Sequence, residues 1–122
     1  MSTGIKDSKG KVRWSLVDFK SLEPMVRILN YGAITKYAPN NWKEVEDKAA
    51  YIDACFRHLT AYLAGEEIDR ETQESHLGSI MCNAMFLIWD REQNKDMPFD
   101  EYIEKLTTYP DYVKELDKHK FD

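Results

Sequence analysis

The chain has 122 residues, 43% of them hydrophobic and 32% charged, with only five Gly and four Pro. That supports one buried core but not two, and it excludes a disordered chain, which has less apolar content and more breakers. A net charge of -5 excludes the broad basic face that duplex nucleic acid demands, while leaving room for a local basic site that takes a nucleotide.

Residues 1–13 are rich in Gly and Lys and hold no apolar signal core, and no window of the chain approaches a membrane span. We read 1–13 as a flexible arm, 14–94 as the core and 95–122 as an acidic helical tail of a single helical domain. Helix one is expected to start near Ser21 as N-cap, with Glu23 and Pro24 in its first turn, where amides lack helical partners anyway. Leu22, Met25, Val26, Leu29 and Ile34 then share a face, and Ala38-Pro39-Asn40-Asn41 ends the helix. Helix two is expected over 47–64, with Ile52, Cys55, Phe56, Leu59 and Leu63 as its buried stripe and Asp53 and Arg57 as an i, i+4 pair.

Helix three, about 75–91, repeats the logic with Leu77, Ile80, Met81, Ala84, Leu87 and Ile88. A shorter helix over 99–106 and a last one over 111–118 are charged enough to need docking on the rest. No strand alternation competes, so the fold class is all-α: a compact helical bundle of three to five helices. Cys55 and Cys82 fall in helical, mostly apolar surroundings, which points to reduced core thiols and a cytoplasmic location.

Chemistry must come from the polar residues that break these patterns. Gly65 can end helix two in a left-handed conformation, and Glu66, Glu67, Asp69 and Glu71 follow within six positions. That is more negative charge than a helix C-terminus welcomes, and a divalent cation relieves the repulsion; a solvated acidic turn is the bland alternative. His58 and His76 bracket this turn from helices two and three, so their imidazoles can converge with it to bind metal, place a water or contact phosphate. Asn83, seven residues after His76, lies on the same helical face inside an apolar run and needs partners, either a sugar or base or a neighbouring helix.

A second cluster, Lys36-Tyr37-Ala38-Pro39-Asn40-Asn41-Trp42, combines a cation, aromatics and amides that suit a phosphate and a stacked base, though Tyr37 and Trp42 equally suit core anchors. Arg57 offers a fork for phosphate. Within this reading Glu66, Asp69 and Glu71 are the candidate metal ligands. His58, Glu67 and His76 are the candidate catalytic groups. Lys36, Tyr37, Asn41, Trp42, Arg57 and Asn83 are the candidate substrate contacts.

The order Arg13-Trp14, Tyr31-Gly32-Ala33 with Lys36-Tyr37, Asn41-Trp42, Arg57-His58-Leu59 with Gly65-Glu66 and Asp69, then Glu71, His76-Leu77, Asn83 and Phe86-Leu87, resembles the phage and bacterial dATP/dGTP diphosphohydrolase N-terminal domain family over about residues 11–90. The resemblance implies a helical enzyme related in activity to MazG-like pyrophosphohydrolases. Such an enzyme splits a purine dNTP to dNMP and pyrophosphate with Mg²⁺ or Mn²⁺, works as a homo-oligomer and, if phage-encoded, acts in the host cytoplasm. Gln73 stands where the family leads one to expect Gly, and Ser79 where a second histidine is frequent. Two other classes are carried beside it: a non-catalytic phage protein that binds and sequesters a nucleotide, and a helical interaction module whose acidic tail docks on a partner.

Overall fold

The apolar run from Ile80 to Trp89, broken by Asn83, belongs to the helix on which the others are assembled. In the computed structural model, which describes residues 4–7, 9–33 and 38–108, four α-helices follow in chain order: α1 Phe19–Tyr31, α2 Ala49–Leu63, α3 His76–Gln93 and α4 Phe99–Leu106. Short 3-10 turns at Trp14–Leu16 and Asn41–Lys43 precede α1 and α2. Both α1 and α2 pack on α3, and the second turn rests on it as well. The fold is an all-α bundle; the expected helix over 111–118 lies outside the described residues.

α1 begins earlier than its apolar pattern suggests. Asp18, not Ser21, is the N-cap residue, because the Ser21 hydroxyl donates to the Asp18 carboxylate and its N–H bonds the Asp18 carbonyl at 3.1 Å. Pro24 therefore falls in the second turn, where it cannot donate to the Lys20 carbonyl. What the proline supplies is a flat ring against Gly78 of α3. One turn along, the Cys82 thiol donates to the Met25 carbonyl at 3.4 Å. Both cysteines are free thiols.

The expected buried stripe of α2 is corrected. Phe56, Leu59 and Leu63 are 65%, 43% and 76% exposed, because α3 covers the adjacent face, where Tyr51 meets Phe86 and His58 meets His76. Residues 51 and 58 are seven apart and share a side, about one residue around the helix from the stripe read in the sequence. Asp53 and Arg57 are exposed, and no ion pair joins them among those of the described residues. On α3, likewise, Leu77, Ala84 and Ile88 face outward. Its buried positions are small or polar: His76, Gly78, Ser79, Cys82 and Asn83.

Two devices dock the remaining pieces. Trp42 stacks on Phe86 at 4.7 Å and meets Trp89 edge-on at 5.3 Å, while its carbonyl accepts from Tyr51 Oη at 2.8 Å and Lys48 Nζ at 3.2 Å. At the other end, the buried Tyr102 of α4 donates to Asp90 Oδ2 at 2.8 Å, with the Arg91 guanidinium 5.1 Å above its ring. Burial and the Asp90 carboxylate push the Tyr102 hydroxyl up to about 12.

Candidate functional site

Local bonding fixes the loop between α2 and α3 in detail. Gly65 takes φ 102, and the pair Glu66 N–H to Ala61 carbonyl and Gly65 N–H to Tyr62 carbonyl, at 3.0 and 3.1 Å, closes α2 in a Schellman motif. An isolated antiparallel bridge joins Ile68 to Ser75, and the His76 N–H bonds the Glu67 carbonyl at 3.1 Å. Inside that bridge the Asp69 N–H reaches the Glu74 carbonyl and the Gln73 N–H the Asp69 carbonyl, each at 2.8 Å. Asp69 Oδ1 accepts the Glu71 N–H at 2.9 Å, and Ser75 caps α3 through the Leu77 N–H.

This closure carries Asp69 to the histidines. His58 Nδ1 and His76 Nδ1 stand 2.8 Å apart, and Asp69 Oδ2 lies 3.8 Å from His58 Nδ1. Glu66 Oε1 sits 3.2 Å from His76 Nε2 but off the line of a hydrogen bond, so that buried nitrogen has no aligned partner. Burial lowers the pKa of His58, with the nearby His76 and Arg57 acting in the same direction and the Asp69 carboxylate opposing them. Among the described residues, His58, Asp69 and His76 offer donor atoms within 4.8 Å of one another, close enough to share an ion.

Beside this cluster opens a cavity of about 650 Å³ between α1, α3 and the loop, whose walls include Asn41, Trp42, His58, Asp69, Glu71 and Asn83. The structure thus gathers residues from both sequence clusters around one space. His76 and Glu66 stand behind the His58–Asp69 wall. Glu67 and Arg57 are exposed and line no part of it, while Lys36 and Tyr37 lie outside the described residues. Glu66 and Glu71, expected to share a metal with Asp69, are not in the convergent donor set: Glu66 backs His76, and the Glu71 amide orients Asp69. The Asn83 amide donates to the Ser79 carbonyl at 2.7 Å.

Sequence reasoning overlooked Tyr51, Thr72 and Ser79 as wall residues. Ser79 had a legible signal, since with Asn83 it makes an i, i+4 polar pair in an otherwise apolar helix. Thr72 and Tyr51 carried none, because their place depends on how the loop and α2 meet α3.

The profile of the dATP/dGTP diphosphohydrolase N-terminal family matches residues 1–99. A dATP/dGTP diphosphohydrolase of Salmonella phage PMBT28 is 32% identical over 87 residues, which is 71% of this chain. The chain spans 29% of that relative's length. No solved structure matches. No helix among the described residues is long and apolar enough to cross a membrane.

Proposed function

This chain belongs to the dATP/dGTP diphosphohydrolase N-terminal family, and on that basis we propose that it splits a purine deoxynucleoside triphosphate into the monophosphate and pyrophosphate with a divalent cation, Mg²⁺ or Mn²⁺. The observation that carries the reading is the cavity of about 650 Å³, with a His and Asp cluster in one wall and amides and an aromatic in another. Its volume falls within the roughly 300–1,000 Å³ of small-ligand sites. The naming of the phage relative for dATP and dGTP supports a purine deoxynucleotide as the ligand.

When bound, the cation spreads the charge of the triphosphate oxygens and acidifies a water. The chain's own residues then position and move protons. Asp69 presents a carboxylate beside the two histidines, and Glu71, on the same wall, accepts the proton of the water that attacks the α-phosphorus as the bond to the β-phosphoryl oxygen breaks. Asn41 meets phosphate oxygens, and Asn83 and Trp42 hold sugar and base. The exposed stripe of Phe56, Leu59 and Leu63 supports assembly with a second copy. The assembly would act in the cytoplasm.

The test is incubation of the protein with each NTP and dNTP plus Mg²⁺ or Mn²⁺, followed by separation of products. Monophosphate and pyrophosphate from dATP or dGTP are expected. Binding without product would replace the enzyme by a nucleotide-sequestering protein, and neither would leave an interaction module.

A further inference from the structure

We propose that His58, Asp69 and His76 form a two-histidine, one-carboxylate centre that takes a first-row transition-metal ion in preference to Mg²⁺. Its part in catalysis rests on the diphosphohydrolase reading, whereas binding of the ion does not. The first observation is the 2.8 Å approach of the two Nδ1 atoms across the α2–α3 hairpin. Two neutral imidazoles with lone pairs facing at that distance repel unless a proton or a cation stands between them.

The second observation concerns which nitrogen of His76 is free to act as a ligand. His76 is 4% exposed, and its Nε2, without an aligned partner, faces the Glu66 carboxylate at 3.2 Å. A carboxylate on that side draws the ring proton to Nε2 and leaves Nδ1 as a lone pair aimed at His58. That is the carboxylate–histidine–metal arrangement, in which an outer carboxylate sets the tautomer of a ligating histidine.

Asp69 completes the set. Its Oδ1 is occupied by the Glu71 N–H, which turns Oδ2 toward His58 at 3.8 Å. That separation is too long for a strong hydrogen bond. With metal–ligand bonds of about 2.0–2.2 Å, two donors on one ion stand up to about 4.2 Å apart, and the widest pair, within 4.8 Å, closes by a small rotation of the Asp69 carboxylate.

The donor set also selects the ion. Mg²⁺ prefers oxygen ligands and retains its waters, and Mn²⁺ is the weakest of the first-row ions at a nitrogen site, whereas imidazole nitrogens favour Co²⁺ and Zn²⁺. The sequence named Glu66, Asp69 and Glu71 as ligands for Mg²⁺ or Mn²⁺ and left the two histidines open as metal ligands; the folded loop sets both imidazoles beside Asp69.

The experiment is calorimetric titration of the chelator-stripped full chain with Mn²⁺, Co²⁺, Zn²⁺ and Mg²⁺ separately, without nucleotide, and visible absorption of the Co²⁺ form. A single equivalent of Zn²⁺ and of Co²⁺ is expected, with Mn²⁺ weaker and Mg²⁺ at least about 100-fold weaker than Zn²⁺. His58→Ala and Asp69→Asn should each weaken Zn²⁺ at least about tenfold and change the Co²⁺ spectrum, while Glu66→Gln, acting on the tautomer, should weaken it by about 10–100-fold with the spectrum retained. His76→Ala is read only if its circular dichroism is native; the other three variants carry the test regardless. Equal affinity for Mg²⁺ and Zn²⁺, no stoichiometric transition-metal binding, or wild-type affinity in both His58→Ala and Asp69→Asn would overturn the centre. Metal bound as expected with no triphosphate cleaved would instead retire the hydrolase reading and leave the centre standing.

Discussion

Gly78 on α3 lies so close to Pro24 on α1 that a Cβ there would sit 2.9 Å from Pro24 Cβ and 3.0 Å from its backbone carbonyl carbon. A ring and a helix backbone cannot rotate aside, so α1 and α3 must separate. Gly78→Ala gains about 1 kcal/mol in helix propensity but costs about 1–3 kcal/mol in overpacking, and the overpacking is expected to win. The melting temperature should fall by a few degrees, since about 1 kcal/mol shifts a domain of this size, between about 100 and 150 residues, by roughly 3–5 °C. A melting temperature equal to or above wild type would show that the two helices are not held this close.

Gln73 has φ 62, a left-handed conformation that suits Gly and strains a residue with a Cβ. The family resemblance led to Gly at this position, and the geometry supplies the reason. Gln73→Gly is expected to raise stability by up to about 1 kcal/mol, less the exposed bond from its Nε2 to the Arg70 carbonyl. Chemical denaturation is the check; a drop in midpoint would mean that this side-chain bond outweighs the strain.

The fold was legible to the extent that periodicity and caps set it. α4 runs over the expected Phe99–Leu106, α3 begins one residue after the expected 75, and Gly65 ends α2. The orientation of α2 was not legible, because an apolar stripe does not say which neighbour covers it. His58, Asp69 and His76 converge because they flank one short loop, which spacing can show. Arg57 falls outside because it lies one residue around α2 from His58, on an exposed face; Glu67 falls outside because the loop closed by the Ile68–Ser75 bridge turns it outward, and no local pattern announces a bridge. The Tyr102–Asp90 bond that docks α4 was likewise invisible, being a contact between residues whose separation carries no motif.

The two thiols should differ in reactivity. Burial pushes Cys82 up to about 12, and its thiol bonds the Met25 carbonyl. At pH 8 its thiolate fraction is on the order of 10⁻⁴, and it is sealed between α1 and α3. Cys55 on α2 is also raised by burial but remains half-exposed. A disulfide reagent should titrate Cys55 first in the folded protein and reach Cys82 only on unfolding. Rapid labelling in a Cys55→Ser variant would reveal local opening between α1 and α3.

Self-association makes a separate claim. Phe56 and Leu63 are exposed on one face of α2, and single hydrophobic residues of this size each carry about 1.5–3 kcal/mol of burial when covered. Phe56→Glu with Leu63→Glu should shift light-scattering mass from oligomer to monomer and leave the unfolding free energy of the monomer within about 0.5 kcal/mol of the wild-type monomer, as for surface sites. A wild-type protein that is monomeric at high concentration would remove the second copy from the proposed function.

Asp69 has two duties that one substitution separates. Its Oδ1 closes the loop on the Glu71 N–H and its Oδ2 faces His58. Asp69→Asn preserves an oxygen for the loop bond while deleting the charge beside the histidines, so the fold should lose no more than about 1 kcal/mol. Divalent-dependent hydrolysis of dATP or dGTP should nevertheless fall by at least about 100-fold, because a lost metal ligand removes transition-state charge stabilisation worth several kcal/mol. Glu67→Gln is the matched control: its side chain is exposed and its backbone carbonyl, which receives the His76 N–H, is untouched, so turnover should stay near wild type. If Glu67→Gln abolished turnover while Asp69→Asn kept it, the attacking water would belong on the outer side of the loop and the cavity would lose its assignment.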